Sequence, residues 1–157
     1  MPDFLSPAQR SARMALIRGK DTHPELSLRR ALHRAGFRYR LHAGNLPGKP
    51  DLVLPRYRAV VFVHGCFWHR HQGCSIASTP KSNTPYWQAK FARNVERDRR
   101  VTACLIEDGW RVFVVWECEL TSARKAQDAA TRLASALLET ERREEVAAVC
   151  RKSDSCQ

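Results

Sequence analysis

The spacing of apolar residues changes several times along the chain, and each change predicts an element. Ser6 followed by Pro7 supplies a side-chain acceptor and then a residue with no amide to leave unpaired, which marks a helix start. That helix is expected to run to Arg18, with Met14, Leu16 and Ile17 on its apolar side and Gly19 as its stop. Thr22-His-Pro-Glu25 reads as a capping box in which Glu25 reaches back to the Thr22 amide. Behind it, Leu26, Leu28, Ala31, Leu32 and Ala35 form the inward face of a second helix that Gly36 ends. The period then becomes extended: Phe37-Arg-Tyr-Arg-Leu41 alternates as a strand does, and Asn45 to Pro50 is a Gly- and Pro-rich turn. Asp51-Leu-Val-Leu54 is a short apolar strand, and Ala59-Val-Val-Phe-Val63 is an unbroken apolar run, as in a central strand covered on both faces. Residues 64–84 are irregular, and a loop that long in a small domain is functional or tied by a metal. A third helix fits Pro85 to Asp108, a fourth strand Arg111 to Trp116, and a last helix runs from Thr121 to about Val149. The order α-α-β-β-β-α-β-α predicts one α/β domain over 1–157, a mixed sheet flanked by helices, with residues 121–157 as C-terminal helix and tail.

Composition narrows the class. At 43% hydrophobic and 27% charged residues, the 157-residue chain has enough for one core under a solvated surface. It has no run of about 18 apolar residues, so a helical membrane span is excluded. The opening MPDFLSPAQR lacks the charged-then-apolar order of a secretion signal, which makes a cytoplasmic location the expectation. Six cysteines in such a chain read as reduced thiols, some available to a metal, rather than as a disulfide framework. Cys104, Cys150 and Cys156 have no polar company and read as a buried thiol and two tail residues. The formal net charge is +11 and unevenly placed: residues 1–100 carry 19 Lys and Arg against 6 Asp and Glu, residues 101–157 carry 8 against 10. A basic body with a near-neutral tail is the footprint of a polyanion partner, and most of the basic residues are arginines, which fork onto phosphate.

Three constellations carry chemistry. Asp51 opens one apolar strand and His64 closes the next, so pairing of the two strands brings them together; a carboxylate at such an edge can hold Mg²⁺, which needs only one or two protein carboxylates. Taken alone, Asp51 is as well read as a turn residue. In the run His64-Gly-Cys-Phe-Trp-His-Arg-His-Gln-Gly-Cys74, the residues Cys66, His71 and Cys74 have metal-ligand spacing, and Cys118 just past the fourth strand completes a Cys₃His set for a structural Zn²⁺. His64 and His69 are then free for proton transfer. Phe67-Trp68 and Tyr86-Trp87 are large rings in basic surroundings, suited to stacking on bases or to a small satellite core. His23-Pro-Glu25 has the H-x-E order of the zinc nucleobase deaminases, but the P-C-x-x-C those enzymes need is missing, so that reading falls.

Leu46-Pro-Gly-Lys-Pro-Asp51, His64-Gly-Cys-Phe-Trp-His69, Asn94-Val-Glu-Arg-Asp-Arg99, Gly109-Trp-Arg-Val and Val115-Trp-Glu-Cys118 together resemble the very short patch repair DNA mismatch endonucleases, in order, over roughly residues 7–120. The resemblance implies a restriction-endonuclease-like core and a nick beside the thymine of a T·G mismatch left by deamination of 5-methylcytosine. In that core a Pro-Asp is usually followed by Asp/Glu-x-Lys; here Phe62-Val-His64 stands in that place, a replacement the family shares. By the same resemblance Asp51 and the main-chain carbonyl of Val63 hold Mg²⁺, His69 is general base or shuttle with His64 and Glu25 in support, and Phe67, Trp68 and Trp87 wedge into the duplex. Met14, in the N-terminal helix over residues 1–20, presses from the minor groove, and Lys90 and Asn94 contact DNA. The implied partner is double-stranded DNA carrying a T·G mismatch, met by a monomer at the bacterial nucleoid, with mismatch-repair proteins as further partners. Two departures stand out: position 63 is Val where a hydroxyl residue is usual, and Gln72-Gly73 makes the cysteine loop one residue wider. The residues by themselves leave two other readings open, a restriction-type endonuclease acting on matched duplex and a non-catalytic zinc-stabilised DNA-binding module.

Overall fold

The structure, a computed structural model, describes residues 6–17 and 19–153. The first helix ends at Ala15, short of the expected end, and Met14, Leu16 and Ile17 are exposed rather than packed as an apolar side; Arg18 and Cys156 themselves lie outside the described residues. The elements are α1 (Pro7–Ala15), α2 (His23–Arg34), β1 (Arg40–Leu41), β2 (Leu52–Leu54), β3 (Ala59–His64), α3 (Thr84–Glu107), β4 (Arg111–Trp116) and α4 (Ala123–Ser153), in the order read from the sequence. Among the described residues no helix is long and apolar enough to cross a membrane.

The sheet runs β1-β2-β3-β4. β1 and β3 each pair antiparallel with β2, while β3 and β4 are parallel, from Ala59 opposite Arg111 to His64 opposite Trp116. A parallel pair needs a long crossover, and the irregular loop plus α3 provide it. Strand alternation sorts the core into two layers. Leu52, Leu54, Ala59, Val61 and Val115 face Leu28 and Leu32 of α2 and Ala126, Ala130, Leu133 and Leu137 of α4. Val53, Val60 and Phe62 face the other way, against Leu105 and Val101 of α3. His64 continues the second set, so it points to the α3 side.

Several expectations need correction. The strand expected over Phe37–Leu41 shrinks to Arg40–Leu41, because Phe37 is buried against Tyr57 and the Tyr39 hydroxyl donates to the Arg29 carbonyl. Tertiary anchors replace the ladder there. In α2, Leu28, Ala31 and Leu32 are buried as expected, but Leu26 is half-buried and Ala35, at the C-cap, is exposed. The Thr22 side chain makes no cap bond to the helix backbone, and Glu25 does not accept from the Thr22 amide. Asp21 adopts a left-handed conformation (φ 54°), and it is the Asp21 amide that donates to Glu25 Oε2, at 3.0 Å, while the Thr22 hydroxyl donates to Oε1. Cys104 is exposed rather than buried: its neighbour Leu105 takes the inward position on α3.

Candidate active site

β2 and β3 deliver Asp51 and Val63 to one spot: Asp51 Oδ2 accepts from the Val63 amide at 2.7 Å. Among the described residues no protein donor reaches Asp51 Oδ1. Asp51, Val63, His64, His69, Glu25 and Asp98 all line one cleft of about 620 Å³. Its far wall is the Leu46–Asp51 turn, where Gly48 (φ 71°) lies so close to Val101 of α3 that a Cβ would overlap that side chain. Burial pushes the Asp51 carboxyl above the ordinary carboxylate range; the Val63 amide pulls it back and the Glu25 charge adds to the rise. A half-buried carboxylate with one oxygen that no described donor reaches, near a second carboxylate, fits a hard divalent cation, whose charge would relieve both burdens.

The β3 end and α3 complete the site. His64 and His69 rings stack, with centroids 3.9 Å apart and planes within 8°. His69 Nδ1 lies 2.6 Å from Asp98 Oδ2. Burial, and then charge on His69, push His64 down to about 4, so it is neutral near pH 7. One donor atom from each of His64, His69 and Asp98 lies within 4.8 Å of the others, as in a metal site. The geometry speaks for a proton-handling group instead: parallel rings do not direct their in-plane lone pairs at a common point, and a 2.6 Å contact is a hydrogen bond.

Register also builds the cysteine cluster. Because His64 pairs with Trp116, Cys66 and Cys118 emerge side by side two residues past the paired strand ends. Donor atoms of Cys66, His71, Cys74 and Cys118 lie within 4.8 Å of one another. His71 Nδ1 is 3.6 Å from Cys66 Sγ and 3.4 Å from Cys118 Sγ, close to the about 3.5–3.8 Å that a tetrahedral ion imposes on its S and N ligands. Burial pushes the Cys66 thiol up to about 12 and raises Cys118, whereas backbone amides at Ile76 lower Cys74. Three thiols packed this way want a cation to hold them as thiolates. The loop is further pinned by the Cys66 amide, which donates to Glu117 Oε2 at 3.1 Å.

Phe67, Trp68, Trp87 and Phe91 form one aromatic knot, Phe67 meeting the other three edge-to-face at 5.0–5.5 Å. Trp87 and Phe91 are buried; Phe67 and Trp68 are half-buried. The Lys90 ammonium lies over Trp68 at 5.1 Å, and Asn94 Nδ2 donates to the Trp68 carbonyl at 3.1 Å. Met14 stands apart from this knot, on α1, and is 38% exposed.

Asp98 and Trp116 stood in the sequence inside motifs that carry the family resemblance, but with no role of their own. By composition Asp98 was one acid in a very basic stretch of α3. Trp116 lies between the two centres: His71 stacks on it at 4.2 Å and His64 meets it edge-on at 5.4 Å. Nothing in its spacing marked it out from an ordinary strand residue.

Comparison with known proteins fits this arrangement. The family model for DNA mismatch endonuclease Vsr matches residues 2–75. The type II nicking enzyme V.XorIIP of Xanthomonas oryzae pv. oryzae is 52% identical over 121 residues, covering 77% of this chain and 88% of that protein. DNA mismatch endonuclease Vsr of Escherichia coli (strain K12) is 44% identical over 130 residues, covering 83% of each. The type II nicking enzyme V.NmeAIP of Neisseria meningitidis is 43% identical over 133 residues, covering 85% of this chain and 94% of that protein. On likeness of this extent the chain belongs to the Vsr family of DNA mismatch endonucleases.

Proposed function

We propose that the protein is a DNA mismatch endonuclease that nicks one strand beside the thymine of a T·G mismatch, by Mg²⁺-dependent phosphodiester hydrolysis, and so starts a short repair tract where 5-methylcytosine has deaminated. The observation that carries the reading is the cleft that Asp51, with one oxygen that no described donor reaches, lines together with His64 and His69 in a basic chain of this family. The setting is a single nuclease domain, variant of the restriction-endonuclease core, working as a monomer at the nucleoid in the bacterial cytoplasm.

Mg²⁺ held by Asp51 and the Val63 carbonyl would supply Lewis-acid stabilisation of charge on the phosphate oxygens. The chain does the rest. Asp98 accepts from His69 Nδ1, which leaves Nε2 as the basic nitrogen. In the reaction a water oxygen bonds to phosphorus, its proton passes to His69 Nε2, and the opposite phosphorus–oxygen ester bond breaks, the departing sugar oxygen taking a proton from solvent water. His64, neutral, buttresses the His69 ring by stacking. Glu25 stands on the Asp51 side, deepening the negative field that receives the cation.

Zn²⁺ on Cys66, His71, Cys74 and Cys118 would have no open position and would be structural, tying down the loop that carries Phe67, Trp68 and His69. A T·G wobble stacks poorly, so prying it apart costs less than prying a matched pair. Phe67 and Trp68 are the rings presented for insertion, Trp87 braces them, Lys90 and Asn94 meet the duplex beside them, and Met14 presses from the opposite groove. The test is cleavage of end-labelled T·G and T·A duplexes with Mg²⁺ or with chelator. A single break in the thymine strand of T·G, lost on chelation, is expected. Equal cutting of T·A would favour a restriction-type enzyme.

A further inference from the structure

We infer that Arg29 is a positioning residue for the nicking reaction: it clamps Glu25 in place beside Asp51 and ties it to the hinge that follows α1. The inference rests on Glu25 belonging to the site, as proposed above. Arg29 is one of two charged residues buried among those described; the other is Glu25, one helical turn before it. Its Nη2 donates to Glu25 Oε2 at 3.0 Å and its Nη1 to Asp21 Oδ1 at 2.6 Å.

The carboxylate is held from every side. Glu25 Oε2 takes both the Asp21 amide and Arg29, and Oε1 takes the Thr22 hydroxyl. Asp21 offers its amide from a left-handed backbone (φ 54°), a conformation that Asp, like Asn, adopts more readily than most side chains. Its carboxylate, gripped by Arg29 and 3.6 Å from His42 Nε2, holds that conformation. The chain therefore maintains a left-handed Asp21 and a buried guanidinium, whose Nε has no hydrogen-bond partner among the described residues, around one glutamate.

For packing alone this is a poor solution. A buried ion pair is often no more stable than apolar side chains of the same volume, and here α2 is already seated on the sheet by Leu28 and Leu32. The arrangement makes sense if the orientation of Glu25 is what matters. The Glu25 charge raises the Asp51 carboxyl and the Arg29 charge lowers it, so the guanidinium bonded to Glu25 offsets part of the repulsion between the two carboxylates. Gly19 and Lys20 line the same cleft, so the clamp also fixes where the chain leaves the site toward α1.

Wild-type nicking of T·G duplex is measured first, so that absence of any activity counts against the proposed function and not against the clamp. Arg29→Met, of similar volume, is then made alone and with Glu25→Gln, and each protein is scored for melting temperature, duplex affinity and single-turnover nicking rate. Arg29→Met should nick about 10- to 100-fold more slowly, with duplex affinity within about twofold, and Arg29→Lys should recover part of the rate. In the Glu25→Gln background Arg29→Met should cost nothing further, because the carboxylate charge whose orientation Arg29 maintains is already gone. Losses that multiply, or a folded Arg29→Met at wild-type rate, would overturn the inference. Should Arg29→Met not fold, Arg29→Lys read in both backgrounds decides: a several-fold loss with Glu25 present and none with Gln supports the clamp, and equal rates in the first background refute it.

Discussion

His69 is held between two partners: its Nδ1 lies 2.6 Å from Asp98 Oδ2, and its ring stacks 3.9 Å from that of His64. A carboxylate on one ring nitrogen selects the tautomer and makes the other nitrogen the base. Asp98→Asn is therefore expected to lower the single-turnover nicking rate by roughly 10- to 100-fold with T·G affinity unchanged. Rapid-quench assays with saturating enzyme make the comparison; a wild-type rate would leave Asp98 as a helix-surface residue only.

The cysteine cluster makes a separate prediction. Cys118 closes it from β4, while Cys104 on α3 is exposed. Cys118→Ser should lower the melting temperature by roughly 6–15 °C and Cys104→Ser by less than about 2 °C. Metal analysis of freshly purified wild-type protein should find one zinc per chain, and Cys118→Ser should lose it. Full zinc content in Cys118→Ser would mean that another ligand set holds the metal.

Mismatch preference is assigned to the half-buried rings. Trp68→Ala should reduce the ratio of T·G to T·A cleavage by about 5- to 100-fold, the range expected for one lost stacking contact. Both duplexes cut in competition give the ratio directly. An unchanged ratio would return Trp68 to the satellite core formed with Phe67 and Trp87.

Acid sensitivity follows from the hinge. The Arg29 guanidinium, through its hydrogen bond, holds the Asp21 carboxyl below its ordinary value of 3.8. With the folded-state value below the unfolded one, this stabilisation is complete above about pH 4 and is lost as pH falls through the folded-state value. Asp21→Asn should therefore be less stable than wild type in denaturant titrations near neutrality, and the gap should narrow as the pH is taken below 4. A gap that widens on acidification would contradict the assignment.

The strands and helices were legible because their signals are periodic and local. Ala59–His64 and Arg111–Trp116 appear within one residue of the sequence expectation, and Asp51, His64 and His69 line one cleft as strand pairing implied. The clustering of Cys66, His71, Cys74 and Cys118 was legible from the loop spacing together with the position of β4. What stayed hidden depends on three-dimensional neighbours. Glu25 has capping-box spacing, yet the left-handed Asp21 redirects its bonds, and no local pattern announces that turn. Arg29 and Asp98 look like ordinary members of basic helices until burial singles out the one and the His69 contact the other. Trp116 gains its place between the two centres only through the parallel pairing of β3 with β4.

The central claim is that Asp51 is the carboxylate on which cleavage depends. Its most direct test compares wild type and Asp51→Ala on the same T·G duplex, with binding followed by gel shift and strand breakage by denaturing gel in the presence of Mg²⁺. The account expects Asp51→Ala to bind as wild type does and to leave the duplex intact. Nicking by a pure Asp51→Ala sample at anything near the wild-type rate would contradict it.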